Sequence, residues 1–230
     1  MGKRTIIIAA AMAAAAAKAQ LSTPPVISSD MVLQQGREVP IWGKATPGER
    51  VTVSFGGQKA RAKAAADSTW SVTLKPMEAT ATPRTLTIKG KGQTIEYTNV
   101  VVGEVWVAAG QSNMEYSMRR HKAFVAPAHG VDSAQLELRK PANPMLRVYV
   151  SARRGQKPWA VAGPESLPEV SAVGYYFARS LQRNLGVPVG IVTAALGGTK
   201  IETWTPRQAY AQSAAFAGEL ERNGRIGGVG

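Results

Sequence analysis

The sequence predicts an α/β protein in which a small antiparallel β-sandwich precedes an incomplete, doubly wound parallel α/β domain. Residues 21–99 contain short runs of strand character separated by Gly, Pro and Asp turn signals, a spacing typical of an antiparallel sandwich. From Val100 onward the pattern changes to alternating strands and helices, and this order requires a parallel sheet with right-handed crossovers. We therefore divide the chain into residues 1–19, 20–99 and 100–230.

The first segment is predicted to be a cleavable secretory signal peptide. Lys3 and Arg4 precede an apolar run over residues 5–17, and the small-x-small triplet Ala17-Lys18-Ala19 stands directly before Gln20. Such a run is too short to span a bilayer comfortably, and the strand-rich polar segment behind it disfavours an uncleaved membrane anchor. The chain has no cysteine and therefore no disulfide. We expect a periplasmic or extracellular protein that is stabilised by its core.

The sandwich is predicted from the alternation of apolar and polar residues. Val51, Val53 and Phe55 alternate with polar neighbours, as expected for a sheet with one buried face. Trp42 or Trp70 fits a sugar-stacking position, but a tryptophan in a small sandwich is more often a core residue. The predicted strands are Met31–Leu33, Val39–Trp42, Val51–Phe55, Gln58–Ala64, Trp70–Leu74, Thr85–Lys89 and Thr94–Asn99.

Strands and helices alternate in the second part. Ser171 is the expected cap of its central helix, which Gly186 and Pro188 terminate. The predicted strands are Val105–Ala109, Met145–Val150 and Val189–Ala195. The other predicted helices cover Met114–His121 and a segment from Thr205 to about Arg222, which begins with a cap and a proline. The spacing of the apolar residues in the central helix predicts that one face is buried, formed by Val173, Tyr176, Phe177, Leu181 and Leu185.

The turn after the strand Val105–Ala109 contains a serine, Ser112, next to the start of a helix. A serine in this position fits a nucleophile, because backbone N–H groups at such a turn can stabilise the oxyanion of a tetrahedral intermediate. Ser112-x-x-Glu115 also fits a capping box, in which the hydroxyl merely caps the helix. The stretch alone is compatible with both interpretations.

A pair of glycines, Gly197 and Gly198, follows the strand Val189–Ala195. Ligands of parallel sheets bind beyond the carboxyl ends of the strands, so this pair and Ser112 are expected at the same edge. The two turns would supply a nucleophile and a second N–H donor for acyl transfer. A tight turn that needs positive φ also explains the glycines, and both explanations can hold together.

Three stretches resemble one esterase family. Gly110-Gln-Ser-Asn-Met114 looks like the nucleophile block of the sialate O-acetylesterases, relatives of the Ser-Gly-Asn-His (SGNH) hydrolases. Ser171–Arg179 together with Leu185–Gly190 is similar to the second helix and strand of that family, and Ala195–Trp204 is similar to its glycine block. The resemblance implies an SGNH-type catalytic domain preceded by a small β domain.

The resemblance implies hydrolysis of O-acetyl esters of sialic acid. Ser112 would attack the acetyl carbonyl, and the N–H groups of Ser112 and of Gly197 or Gly198 would form the oxyanion hole. Gln111 and Asn113 would either orient the turn or contact the substrate. The expected partner is an O-acetylated sugar or glycan, and no cofactor, metal, nucleic acid or membrane partner is expected for the mature chain.

A serine nucleophile needs a base, normally a histidine oriented by a carboxylate. The family carries an asparagine block and an Asp-x-His or Asp-x-x-His pair further along, and neither appears before Gly230. His121 would lie about 13 Å from Ser112 along the same predicted helix, beyond hydrogen-bond reach. His129, with Asp132 nearby, is out of the family order, so neither histidine receives the role. We expect an N-terminal portion of a longer esterase that exposes a hydrophobic sheet edge.

The formal net charge of +13 would suit nucleic-acid binding, but the basic residues are scattered and an export signal precedes them. A solvated basic face is therefore the favoured explanation of the charge. Arg119, Arg147 and Arg153 are unranked candidates for contacting a sialic acid carboxylate. Two alternative functions stay open. The chain is either an acetyl esterase for another glycan, such as acetylated xylan, or a catalytically dead fragment that serves as a sugar-binding or scaffold module.

Overall fold

The computed structural model describes residues 20–119, 131–151 and 156–213. The strands are β1 (Val32–Gln34), β2 (Val39–Lys44), β3 (Arg50–Phe55), β4 (Gln58–Lys63), β5 (Thr69–Leu74), β6 (Thr80–Lys89), β7 (Thr94–Gly110), β8 (Asn143–Val150), β9 (Lys157–Ala162) and β10 (Val189–Ala195). The helices are α1 (Ser112–Glu115), α2 (Val131–Leu138), α3 (Ala172–Leu185) and α4 (Arg207–Gln212), with a 3₁₀ turn at Ile201–Trp204. The predicted signal peptide, His121, His129, Arg153 and the tail from Arg222 lie outside the described residues.

The long strand β7 connects the two predicted parts of the molecule. Its first part pairs antiparallel with β6 and, at Val101–Gly103, parallel with β1. Its second part, Glu104–Gly110, pairs parallel with β10, which continues to β8 and β9. An eight-stranded mixed sheet results, in the order β4-β3-β6-β7-β10-β8-β9 with β1 beside β7. The boundary predicted between residues 99 and 100 therefore falls inside a continuous strand.

The β-rich part contains all seven strands that the sequence predicts. β2 and β5 form a separate two-stranded antiparallel sheet, and its inner face shares one apolar core with the large sheet. Ile41, Val53, Leu86 and Trp70 are buried in this core. Of the two interpretations of Trp70, core residue and sugar-stacking residue, the first is therefore confirmed. Trp42, by contrast, is 42% exposed. Local alternation was a sufficient guide because each of these strands has one covered face.

The three strands predicted for the second part are confirmed, whereas the helix predicted at Met114–His121 is wrong as far as the structure describes it. α1 ends at Glu115, and Ser117 forms an antiparallel bridge with Ser171. The Met118 N–H donates to the carbonyl of Val170. Pairing with the segment before α3 thus uses the backbone groups that a longer helix would need. Strand β9 and helix α2 were not predicted.

Helix α3 is confirmed, with its cap, but its predicted buried face is confirmed only at Tyr176 and Leu181, which are partly buried and pack against the core. The Ser171 hydroxyl accepts from the Gly174 N–H at 3.1 Å, and Gly186 ends the helix at φ 68°. The face against the sheet is formed by Gly174, Tyr175 and Ala178, because Gly174 approaches the sheet so closely that a Cβ on it would lie 2.9 Å from the Ala108 Cβ. The exposed residues of the predicted face are Val173 (54%), Phe177 (43%) and Leu185 (50%).

A buried arginine joins β8 to the β-rich part. Arg147 is 2% exposed, and its guanidinium donates to Asp30 at 3.3 Å, to the Asn99 side chain at 3.2 Å and to the Pro144 carbonyl at 3.0 Å. Burial lowers the pKa of Arg147, and the Asp30 carboxylate opposes that effect. A residue so enclosed cannot contact a glycan carboxylate, so the sequence-based candidacy of Arg147 is wrong.

Arg119 also has a structural partner. Its guanidinium pairs with the Glu169 carboxylate at 2.6 Å on an exposed surface. The Arg119 guanidinium, which was a candidate for contacting a sialic acid carboxylate, is thus already paired with a carboxylate of the chain itself. None of the helices in the described residues is long and apolar enough to cross a bilayer.

Candidate active site

Two parallel strands place the predicted site residues at one edge of the sheet. β7 and β10 run parallel, and Gly110 at the end of β7 is in register with Ala195 at the end of β10. The Leu196 N–H donates to the Gly110 carbonyl at 2.9 Å, which extends the pairing into both turns. The turn with Ser112 and the turn with Gly197 therefore leave the sheet side by side, as the sequence predicts.

The serine turn begins with an unusual backbone conformation. Gly110 has φ +150°, and Gln111 is the cap residue of α1 without a side-chain capping bond. Ser112 is the first residue of the helix, so the capping-box interpretation is wrong. The N–H groups of Met114 and Glu115 donate to the Gln111 carbonyl. Within the described residues the Ser112 hydroxyl makes no hydrogen bond, and the side chain is partly accessible.

Glu115 ties the serine turn to the glycine turn. The Gly197 N–H donates to Glu115 Oε2 at 2.8 Å. A Cβ placed on Gly197 would lie 2.5 Å from the same oxygen and 3.6 Å from the Ser112 Cα. The absence of a side chain at Gly197 thus lets the two turns touch, and its N–H is occupied by a carboxylate.

Gly198 differs from Gly197 in both conformation and surroundings. It has φ +77°, a left-handed conformation that favours glycine, and a Cβ on it would meet no atom within 4 Å. Its N–H donates to no group within the part of the chain that the structure describes. Of the two predicted glycine donors, Gly198 therefore has the N–H that is available to a ligand.

Further hydrogen bonds hold the glycine turn in place. The Thr199 hydroxyl donates to the Leu196 carbonyl at 2.7 Å, and the Trp204 indole N–H donates to the Thr199 hydroxyl at 2.8 Å. The serine turn is anchored on its other side, where the Ala172 N–H donates to the Tyr116 carbonyl at 2.8 Å. The turns are therefore fixed from two directions, a requirement for placing reacting groups accurately.

The remaining candidates are less constrained. Gln111 and Asn113 are exposed. Asp132 lies in α2, whereas both histidines fall outside the described residues. No group of acidic and histidine side chains that could hold a metal occurs among the described residues. The site as described consists of a hydroxyl, a neighbouring carboxylate and backbone donors, a set suited to acyl transfer once a base is supplied.

Sequence reasoning missed the role of Glu115 at this site. Its position three residues after Ser112 matched the capping box, and that match concealed the alternative contact with Gly197. Glu115 and Gly197 are far apart in the sequence, and their contact could not be predicted from it, because the contact follows from the register of β7 and β10. A glutamate near the predicted nucleophile was the available clue.

Comparisons with known proteins find similar carbohydrate esterases. The family model described as "Carbohydrate esterase, sialic acid-specific acetylesterase" matches residues 102–229. The chain is 29% identical to the sialate O-acetylesterase of Homo sapiens in an alignment of 196 positions that covers 78% of this chain and 38% of that protein. It is 30% identical to the Mus musculus sialate O-acetylesterase in an alignment of 204 positions that covers 79% of this chain and 37% of that protein.

A solved structure is similar as well. The carbohydrate acetylesterase from Xanthomonas citri superimposes with a TM-score of 0.73 and 30% identity, over 84% of this chain and 44% of that one. The chain thus spans less than half the length of the relatives that it matches.

Proposed function

Since the chain belongs to the carbohydrate esterase family of sialic acid-specific acetylesterases, we propose that it acts on O-acetyl esters of sialic acid through Ser112. The contact between the serine and glycine turns carries this proposal, because it brings the Ser112 Cα to 3.6 Å from the Cβ position of Gly197. A nucleophile beside backbone N–H donors is the arrangement that ester hydrolysis requires.

In the proposed mechanism, the Ser112 oxygen attacks the acetyl carbonyl carbon and its proton passes to a base. The N–H groups of Ser112 and Gly198 stabilise the oxyanion, while the Gly197 N–H stays on Glu115. Collapse of the intermediate releases the sugar hydroxyl and leaves acetyl-serine, which water then hydrolyses to acetate. Gln111 and Asn113, both exposed beside Ser112, are the proposed substrate contacts.

The resemblance implies that the base is a histidine oriented by an aspartate. Neither His121 nor His129 stands in the Asp-x-His or Asp-x-x-His motif of the family. Substituting each histidine by alanine tests whether either of them acts as the base, independently of the role of Ser112. Loss of turnover in one of the two variants, with retained folding, would assign the role to that residue.

The location and division of the chain are also proposals. We propose that residues 1–19 are removed on export to the periplasm or medium, because the segment has a basic start, an apolar run and a small-x-small cleavage site. Residues 20–99 then form a supporting β domain, and residues 100–230 carry the esterase site. β7 provides both domains with a common rigid element, which keeps the site turn at a fixed position relative to the sandwich.

Hydrolysis of a chromogenic acetyl ester tests the proposal. We expect Ser112→Ala to reduce kcat/KM on the order of 10³-fold or more, since the nucleophile is lost. Ser117→Ala is the matched control, because the Ser117 hydroxyl donates to the nearby Arg119 carbonyl and is expected to be dispensable. Equal turnover by Ser112→Ala and the parent protein would refute the serine mechanism.

Natural substrates separate the proposed esterase from its alternatives. Acetate release from O-acetylated sialic acid, and none from acetylated xylan, would support sialate specificity. Faster release from xylan would support the other esterase. A parent chain that releases no acetate but is retained on a glycan column would support the sugar-binding module instead.

A further inference from the structure

A second concave site lies beside β2, β5 and the end of β4, formed by residues that do not belong to the serine and glycine turns. The cavity has a volume of about 790 Å³, within the range of small-molecule sites. Its wall includes Trp42, Lys44, Lys63, Trp70 and Ser71. We refer to this cavity as the Trp42 pocket.

The strand alternation explains why a large aromatic ring is exposed here. Along β2, Ile41 points into the core and is 1% exposed, whereas Trp42 points outward and is 42% exposed. Trp42 is paired with Ser71 of β5, and Lys44 is paired with Thr69. One face thus presents an apolar ring beside two hydroxyls and an ammonium group, the combination that suits a sugar with an apolar ring face and polar substituents.

The charge of the pocket wall is positive. Lys44 and Lys63 both line the cavity, and neither forms an ion pair with a carboxylate within the described residues. The nearby Asp67 carboxylate accepts from the N–H and the hydroxyl of Thr69, at 3.0 Å and 2.7 Å. Lys44 interacts electrostatically with this carboxylate, whereas Lys63 has no such partner among the described residues. The two lysines leave the wall basic, which favours an anionic ligand over a neutral one.

Trp70 lies on the opposite face of β5 from Ser71 and contributes its buried indole to the same cavity. The indole Nε1 of Trp70 is enclosed and has no hydrogen-bond partner among the described residues. The edge of this indole lies close to Gly43, where a Cβ would come within 3.0 Å of Trp70 Cζ2. The Trp70 indole therefore closes the inner side of the cavity, and its enclosed Nε1 does not donate to a ligand there.

From the cavity, the exposed Trp42 ring and the two lysines we propose that the Trp42 pocket binds an acidic sugar, a pyranose that carries a carboxylate. The ring face stacks on Trp42, the carboxylate is attracted by Lys44 and Lys63, and the hydroxyls of Thr69 and Ser71 bond to the ring substituents. The site needs no chemistry at Ser112.

Binding is tested in the Ser112→Ala background, which excludes turnover. Calorimetric titration with sialyllactose and with lactose compares an acidic with a neutral sugar. We expect sialyllactose to bind, lactose to bind at least about tenfold more weakly, and Trp42→Ala to weaken sialyllactose binding at least about tenfold. Replacing Lys44 and Lys63 together by glutamine should remove most of the salt dependence of binding.

Trp106→Ala is the matched control, because Trp106 is a tryptophan of similar exposure, 45%, on β7. This variant should bind sialyllactose like the parent. Undetectable binding of sialyllactose at millimolar concentration, or unchanged binding by Trp42→Ala, would overturn the proposal. Equal affinities for lactose and sialyllactose would also overturn it, since the acidic class would then be wrong. The acetyl ester assay with the wild-type serine reports on the esterase separately.

Discussion

The two halves of β7 have similar apolar sequences but very different surroundings. Val100, Val101 and Val102 in the first half are at most 1% exposed. In the second half Trp106 is 45% exposed and Val107 is 61% exposed. The first half has paired neighbours on both edges, whereas within the described residues the second half pairs with β10 alone. Burial of a strand is therefore decided by what lies beside it rather than by its own hydrophobicity.

The open edge of the second half is defined by the register. The Glu104 N–H donates to the Pro188 carbonyl, and the Gly110 carbonyl accepts from Leu196, so the alternate residues between them face β10. The backbone groups of the intervening residues, including Val107, point to the other side. The Gln34 side chain accepts from the first of these, the Val105 N–H, at 2.8 Å. One side chain thus partly protects the open edge.

The largest expected effect concerns the helical layer that covers one face of the second half. Glu137 of α2 is 6% exposed and accepts from Tyr175 at 2.7 Å, from Lys140 at 2.6 Å and from Arg179. Although burial raises it, these hydrogen bonds lower the pKa of Glu137 from 4.5 to about 2. The folded protein therefore binds this proton less readily than the unfolded chain.

The sign of the pH dependence follows directly. Because the pKa of Glu137 is lowered on folding, its stabilisation is present above pH 4.5 and is lost as the pH falls toward 2. The full effect corresponds to about 3 kcal/mol of unfolding free energy. Urea unfolding at pH 7, 4 and 2.5 measures it, and Glu137→Gln should flatten the dependence. An equally steep loss in that variant would show that another group is responsible.

Val102 and Val107 offer a matched pair of substitutions within one strand. Val102→Ala leaves a cavity in the enclosed half and should lower the free energy of unfolding by about 2 kcal/mol. Val107→Ala removes an exposed side chain and should change it by less than about 0.5 kcal/mol. Denaturant unfolding of both variants measures the difference. Similar losses would mean that the second half is as well covered as the first.

The sequence predicted burial well where it follows from the pattern within one strand, and poorly where it depends on which element lies alongside. The strands of the β-rich part were found because alternation along each strand reports its covered face, as at Val51 and Val53. Three apolar residues assigned to the buried face of α3, Val173, Phe177 and Leu185, are exposed, because an apolar stripe does not say which neighbour covers it. The sheet selects Gly174 and Ala178 instead, since small residues permit close approach. Phe177 packs edge-to-face on Trp106, with the ring centres 5.2 Å apart.

The site shows the same limit. The common edge of Ser112 and Gly197 was predictable, because the ends of parallel strands converge. The engagement of the Gly197 N–H by Glu115 was not predictable, because it depends on the positions of two turns relative to each other. Local patterns identified the residues at the site, whereas the roles of the individual donors needed coordinates.

Glu115 allows a smaller effect to be measured at the tip of the open half. Glu115→Ala removes the acceptor of the Gly197 N–H, and a hydrogen bond of this kind contributes about 1 kcal/mol. Hydrogen exchange of the Gly197 amide should accelerate about fivefold, while the exchange of amides in β3 stays unchanged. In Glu115→Gln, which keeps an acceptor oxygen, the exchange rate of the Gly197 amide should lie between those of the parent protein and Glu115→Ala. Unchanged exchange in Glu115→Ala would mean that the turn is held by its other contacts, such as Thr199.

The smallest expected effect on folding stability comes from charging the open edge. Val107→Lys places an ammonium group on a side chain that is 61% exposed, so the unfolding free energy should change by less than about 0.5 kcal/mol. An unpaired strand edge beside exposed apolar rings can pair with a second copy, and a lysine there prevents such pairing. The variant should therefore show less self-association by light scattering. Thr87→Lys, on β6 with β3 and β7 on its two sides and opposite Glu96, is the control for added charge. If both lysines reduce self-association equally, net charge is the cause and the β7 edge is not the contact.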